Sequence, residues 1–119
     1  MSGKLSTHVL DTYGGTPAAG VSWHLEFKSP TAPAWAEIAA GVTNADGRTD
    51  APLLTGEALV TGSYRLSFAM GDYYKGKSVP LADPPFLDVV VLEVNLTAGE
   101  SYHVPLLASP WSYSTYRGS

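Results

Sequence analysis

Twelve glycines and nine prolines punctuate this 119-residue chain, cutting it into short segments rich in Val, Leu, Tyr and Thr. Gly and Pro interrupt regular structure, while β-branched and aromatic residues suit a pleated surface, so the pattern is that of an all-β fold. Leu5 to Thr12 alternates like a strand and ends in the turn signal Tyr13-Gly14-Gly15-Thr16-Pro17. Val21 to Lys28 places Val21, Trp23, Leu25 and Phe27 on one face and Ser22, His24, Glu26 and Lys28 on the other. Further strands are expected at Trp35 to Val42, at Gly62 to Met70 and at Phe86 to Leu96, with a short edge strand at Leu53-Leu54. Asn44 to Arg48 reads as a turn, and Asp72 to Lys77 as one short helix limited by Gly71 and Gly76. About eight strands at this spacing predict an antiparallel two-sheet sandwich.

The last nineteen residues are unusual for a chain end. Ser101, His103 and Pro105 alternate with Tyr102, Val104 and Leu106, as on a strand. Ser109-Pro110 predicts a turn, and Trp111 to Tyr116 a return strand. Chain ends usually carry little information, yet this one is dense in tyrosine, serine and arginine.

The length corresponds to one domain spanning 1-119, with enough residues to bury a core. A net charge of −4, with no concentration of Lys or Arg, argues against nucleic acid as a partner. Cysteine is absent, which excludes disulfides, thiolate metal sites and a cysteine nucleophile. No apolar run approaches the roughly 20 residues of a membrane helix, and Met1 to Lys4 has no apolar leader character. A cytoplasmic protein is therefore expected.

Few residues are equipped for chemistry. Of three histidines, His24 lies on the polar face of its strand and is expected to be exposed. His8 and His103 lie on the first and penultimate strands, where a histidine by itself is more often structural than catalytic. Arg48 closes the Asp46-Gly47 turn, and taken alone reads as a solvated loop cation. Asp46 and Asp50 are explained as turn formers. Glycine-rich phosphate loops, nucleophile elbows and His-Glu-x-x-His patterns are all missing. These features alone name no reaction.

Particular motifs carry more. Ser6-Thr7-His8-Val9-Leu10-Asp11-Thr12 with Gly15 and Pro17-Ala18, Thr43 to Arg48, and Pro85 to Val90 resemble successive signatures of the 5-hydroxyisourate hydrolases, the transthyretin-like proteins. Tyr102 to Leu107, Ser109-Pro110 and Tyr113 to Ser119 match the end of that pattern, and the closing Tyr-Arg-Gly-Ser marks its hydrolase branch. Trp111 stands where the family often has tyrosine.

The resemblance implies a sandwich of two four-stranded antiparallel sheets with one short helix. It also implies hydrolysis of 5-hydroxyisourate to 2-oxo-4-hydroxy-4-carboxy-5-ureidoimidazoline, with no metal or organic cofactor. Four chains would form a dimer of dimers, with active sites in clefts across the dimer–dimer interface. Carried over by motif, the catalytic residues are His8, Arg48 and His103, and the substrate-binding tail is Tyr116, Arg117, Gly118 and Ser119. His103 would activate water with His8 as partner or proton donor, and Arg48 would stabilise negative charge. The alternative is a transthyretin-type carrier of small ligands without catalysis.

Overall fold

The computed structural model describes residues 3–119; Met1 and Ser2, the first half of the stretch expected to lack leader character, lie outside the described residues. In chain order the strands are β1 (Lys4–Ser6), β2 (Val9–Asp11), β3 (Thr16–Pro17), β4 (Ser22–Lys28), β5 (Ala36–Val42) and β6 (Leu54–Thr55). After them come β7 (Gly62–Ala69), the helix α1 (Met70–Gly76), β8 (Val89–Leu96), β9 (Ser101–His103), β10 (Leu106–Ala108) and β11 (Tyr113–Ser114).

One layer is the antiparallel sheet β5-β4-β7-β8. The alternation read from sequence for Val21 to Lys28 holds for Trp23 and Leu25, which are buried between the layers with Tyr64, Leu66, Phe68, Val90 and Leu92. The second layer is built from β6-β1-β9 and β11-β10-β2-β3. Taking β1 with β2 and β9 with β10 as two interrupted strands, it reads β6, β1/β2, β9/β10, β11, four strands with the two-residue β3 beside them. Leu5, Val9, Leu106 and Ala108 close the core from this side.

Two details differ from the expectation. β1 runs parallel to β9, and β2 parallel to β10, instead of antiparallel. Parallel neighbours need a long crossover, and here the entire first layer supplies it. Each long strand is also broken in two, at Thr7-His8 and at Val104-Pro105. Pro105 has no N–H to give a ladder. Around it the Thr7 hydroxyl donates to the Val104 carbonyl at 2.7 Å, Val104 N–H to Ser6 at 2.9 Å and Leu106 N–H to His8 at 2.9 Å.

Other boundaries moved for local reasons. The return strand shrinks to Tyr113–Ser114 because Ser109 holds Trp111 and Ser112 in a turn, its hydroxyl accepting both N–H groups at 3.2 and 3.1 Å. The helix begins at Met70, ahead of Gly71, whose N–H donates to the Asp88 carbonyl at 2.9 Å. β8 starts only at Val89, leaving Phe86 74% exposed. No helix among the described residues is long and apolar enough to cross a membrane.

Helix α1 is tied to the second layer by a buried carboxylate. Asp11 accepts the Tyr73 hydroxyl on Oδ2 at 2.9 Å and the Tyr74 hydroxyl on Oδ1 at 3.0 Å, while Tyr13 and Gly14 N–H groups reach Oδ1 at 3.0 and 2.9 Å. Burial, reinforced by Asp11, pushes the Tyr73 phenol up to about 12 and the Tyr74 phenol up as well, so both remain donors at neutral pH.

Candidate active site

The alternation that buries Leu5, Thr7, Val9 and Asp11 turns Ser6, His8 and Leu10 to the outer face of the second layer. On the neighbouring strand, Tyr102 and Val104 are buried and His103 is half-buried on the outside. The parallel register sets Ser6 beside His103. His8 and His103, distant in sequence, thereby occupy adjoining strands of one face.

Arg48 reaches His8 through its turn. Asn44 Oδ1 accepts the N–H groups of Asp46 and Arg48 at 2.9 and 3.1 Å, and Asn44 N–H donates to the Arg48 carbonyl at 2.8 Å. Gly47 has φ +75°, and any Cβ there would collide with the Val9 carbonyl, so the turn can press this closely only with glycine. Arg48 then forms a β-bridge with His8. Its side chain is exposed and makes no ion pair among the described residues. Asp50 accepts from the Asn44 amide at 3.1 Å, a turn role as expected.

The histidines are held differently. His8 Nε2 lies 2.8 Å from the Asp46 carbonyl. A carbonyl only accepts, so neutral His8 carries its proton on Nε2 and a lone pair on Nδ1. His103 Nδ1 lies 2.9 Å from Ser6 Oγ. Burial, then the neighbouring charges of Arg48 and His8, lowers the His103 pKa below its ordinary 6.5.

The tail closes the other side of His103. Thr115 Oγ1 donates to the Pro105 carbonyl at 2.6 Å, and Gly118 exchanges backbone hydrogen bonds with His103 at 3.0 and 2.7 Å. A Cβ on Gly118 would stand 3.0 Å from His103 Cβ, so glycine allows this approach. The Tyr116 ring centroid is 6.4 Å from that of His103. Arg117 points elsewhere: its Nη2 donates to Glu100 at 3.2 Å and its guanidinium lies 4.6 Å from the Tyr102 ring. Ser119 is exposed at the chain end.

The face is open. A cavity of about 400 Å³ lies behind the tail, lined by Val94, Leu96, Tyr102, Val104, Tyr116 and Arg117 and by neither histidine. Among the described residues no three His, Cys, Asp or Glu side chains converge on a metal position. His24 lies on the other layer and pairs with Glu37 at 2.6 Å. Ser6, otherwise only part of the first motif, stands two residues before His8 on an alternating strand, and that spacing is the sign in the sequence that it shares the face.

The HIUase/Transthyretin family model matches residues 5–118. The chain belongs to that family. Within the HIUase/Transthyretin family it is 53% identical, over 98% of its length and 99% of the relative's, to a protein of Ralstonia nicotianae named 5-hydroxyisourate hydrolase. The crystal structure of (S)-allantoin synthase superposes with a TM-score of 0.93 at 41% identity over 99% of this chain, which spans under half (44%) of that protein. Sea bream transthyretin, in complex with thyroxine, superposes with a TM-score of 0.84 at 30% identity, covering 97% of this chain and 94% of its own. A protein named as a hydrolase and a transthyretin in complex with thyroxine thus share the HIUase/Transthyretin scaffold, and only the site can separate the activities.

Proposed function

We propose that this protein hydrolyses 5-hydroxyisourate, opening its six-membered ring to give 2-oxo-4-hydroxy-4-carboxy-5-ureidoimidazoline. The observation that carries the reading is the convergence on one face of His8, His103 and an Arg48 that makes no ion pair among the described residues. A carrier needs no such set. The relative at 53% identity over nearly the full length supports the same side of the choice.

The roles follow from the environments. A lowered pKa keeps His103 neutral at pH 7, which suits it to accept a proton from water. As the water oxygen bonds to a ring carbonyl carbon, its proton passes to His103, and the oxyanion that develops faces the Arg48 guanidinium. The C–N bond then breaks, and the ring nitrogen gains a proton. His8 is the proposed donor, acting from Nδ1 in its imidazolium form because Nε2 is tied to Asp46. Tyr116 would orient the substrate, with Gly118 and Ser119 shaping the edge of the cleft. Arg117, turned toward Glu100, is proposed to hold the tail in place.

A small polar substrate needs enclosure, and this face is open in one chain. A homotetramer, a dimer of dimers with site-bearing faces opposed, would supply it. Supporting that assembly, β8 and β11 are unpaired sheet edges, and β8 carries exposed Val89 and Val91. Long apolar edges are rarely left open. A cytoplasmic setting belongs to the same proposal, and cell fractionation tests it. The deciding experiment is ultraviolet absorbance: freshly made 5-hydroxyisourate should decay faster with protein than without. Unchanged decay, with ligand binding retained, would favour the carrier.

A further inference from the structure

Each histidine of the site has one ring nitrogen committed, but to different partners. The Asp46 carbonyl dictates the proton position on His8. Ser6 Oγ can either donate or accept, so its contact with His103 Nδ1 permits two arrangements. If Ser6 donates, neutral His103 carries its proton on Nε2 and offers no lone pair outward. If Ser6 accepts, Nδ1 holds the proton and Nε2 is bare.

The contact is built into the backbone. Ser6 and His103, 97 positions apart, are register partners in β1 and β9. The Val104 N–H donates to the Ser6 carbonyl at 2.9 Å, and the other edge of the His103 backbone is taken by Gly118. The His103 backbone is therefore held on both sides, and the half-buried Ser6 hydroxyl has no other hydrogen bond among the described residues. With Nδ1 facing Ser6, water or substrate meets Nε2. Only a bare Nε2 can take a proton from water.

We propose that Ser6 is a positioning residue, accepting the Nδ1–H of His103 so that Nε2 stays unprotonated toward the cleft. The inference rests on the hydrolase reading and deepens it. When Nε2 takes the proton of the attacking water, the Nδ1–H···Oγ bond persists, so the ring need not turn during the step. Removing the hydroxyl would free the ring to carry its proton on Nε2.

The test uses the full chain labelled with ¹⁵N-histidine, and only three histidines contribute signals. Long-range ¹H–¹⁵N spectra at neutral pH should place the His103 proton on Nδ1, with His103→Ala giving the assignment. In Ser6→Ala the population should move toward Nε2–H. Its kcat should fall roughly 10–100-fold, less than loss of the base itself, with KM little changed. Ser6→Thr, which keeps the hydroxyl, should restore most of both. A proton found on His103 Nε2 in the unsubstituted protein overturns the assignment, and that spectrum needs no variant to fold. So does a Ser6→Ala protein with unchanged kcat. The failures separate cleanly: a protein that leaves 5-hydroxyisourate untouched overturns the hydrolase reading, whereas an active protein with His103 protonated on Nε2 overturns the Ser6 role alone.

Discussion

His103 is where charge, burial and reactivity meet, and its titration gives the sharpest residue-level predictions. His103→Ala and His8→Ala should each lower turnover by roughly 10²–10⁴-fold with unchanged circular dichroism, and His24→Ala should be close to silent. A base works only when neutral, and the lowered pKa places the acid-side fall of kcat/KM below pH 6.5. Arg48→Met removes one cause of that lowering, so the fall should move up toward 6.5. Arg48→Lys keeps the charge and should leave the fall in place, yet still reduce kcat/KM because the planar fork is lost. Stability follows the same sign. The unfolded chain takes up this proton more readily, so the contribution of His103 is lost as pH drops from the ordinary histidine value through the lowered one.

At the scale of elements, the last residues and the helix carry separate tests. Deleting Tyr116 to Ser119 should abolish hydrolysis while leaving a folded protein, since none of the four is buried in the core. For α1, Tyr73→Phe should cost about 1.5–3 kcal/mol in urea unfolding, the range for a hydrogen bond to a charged group. Asp11→Ala should cost more, because it strands both phenols and two backbone N–H groups. Such elements were unevenly legible. β4 and β7 could be read because period-2 alternation is local: Trp23 and Leu25 of β4 are buried on the predicted face, and Tyr64, Leu66 and Phe68 of β7 are buried together. The breaks at Thr7-His8 and Val104-Pro105 could not, since they reflect strand partners nearly a whole chain apart. His8, Arg48 and His103 came from motif resemblance, and the fold brings them to one face. Arg117 diverges because neighbours on an extended tail point to opposite sides, a parity that puts Tyr116 and Gly118 with His103.

For the molecule as a whole, assembly and activity should separate. The truncated protein lacking Tyr116 to Ser119 is expected to sediment as a tetramer although inactive, because the proposed contacts lie on β8, β11 and the site-bearing face. Placing charge on the open edge, as in Val89→Glu with Val91→Lys, should give a smaller species in sedimentation velocity. If the cleft needs opposed chains, that smaller species should also be a poor catalyst.

The parallel pairing of β1/β2 with β9/β10 also has a meaning in time. The first strand leaves the ribosome long before the strand that pairs with it. At about 5–20 residues per second, His8 waits roughly 5–20 s for His103 to be synthesised. During that interval the nascent chain can complete the hairpins of the other layer and pair β1 with β6 and β2 with β3, while the other edges of β1 and β2 stay without β9 and β10. A premature stop before Ser101 therefore yields no partial enzyme, since β9 and β10 are then missing. It leaves one edge of β1 and β2 open, suited to capture by a chaperone or a protease, so activity would arrive only once β9, β10 and the segment through Ser119 have been made.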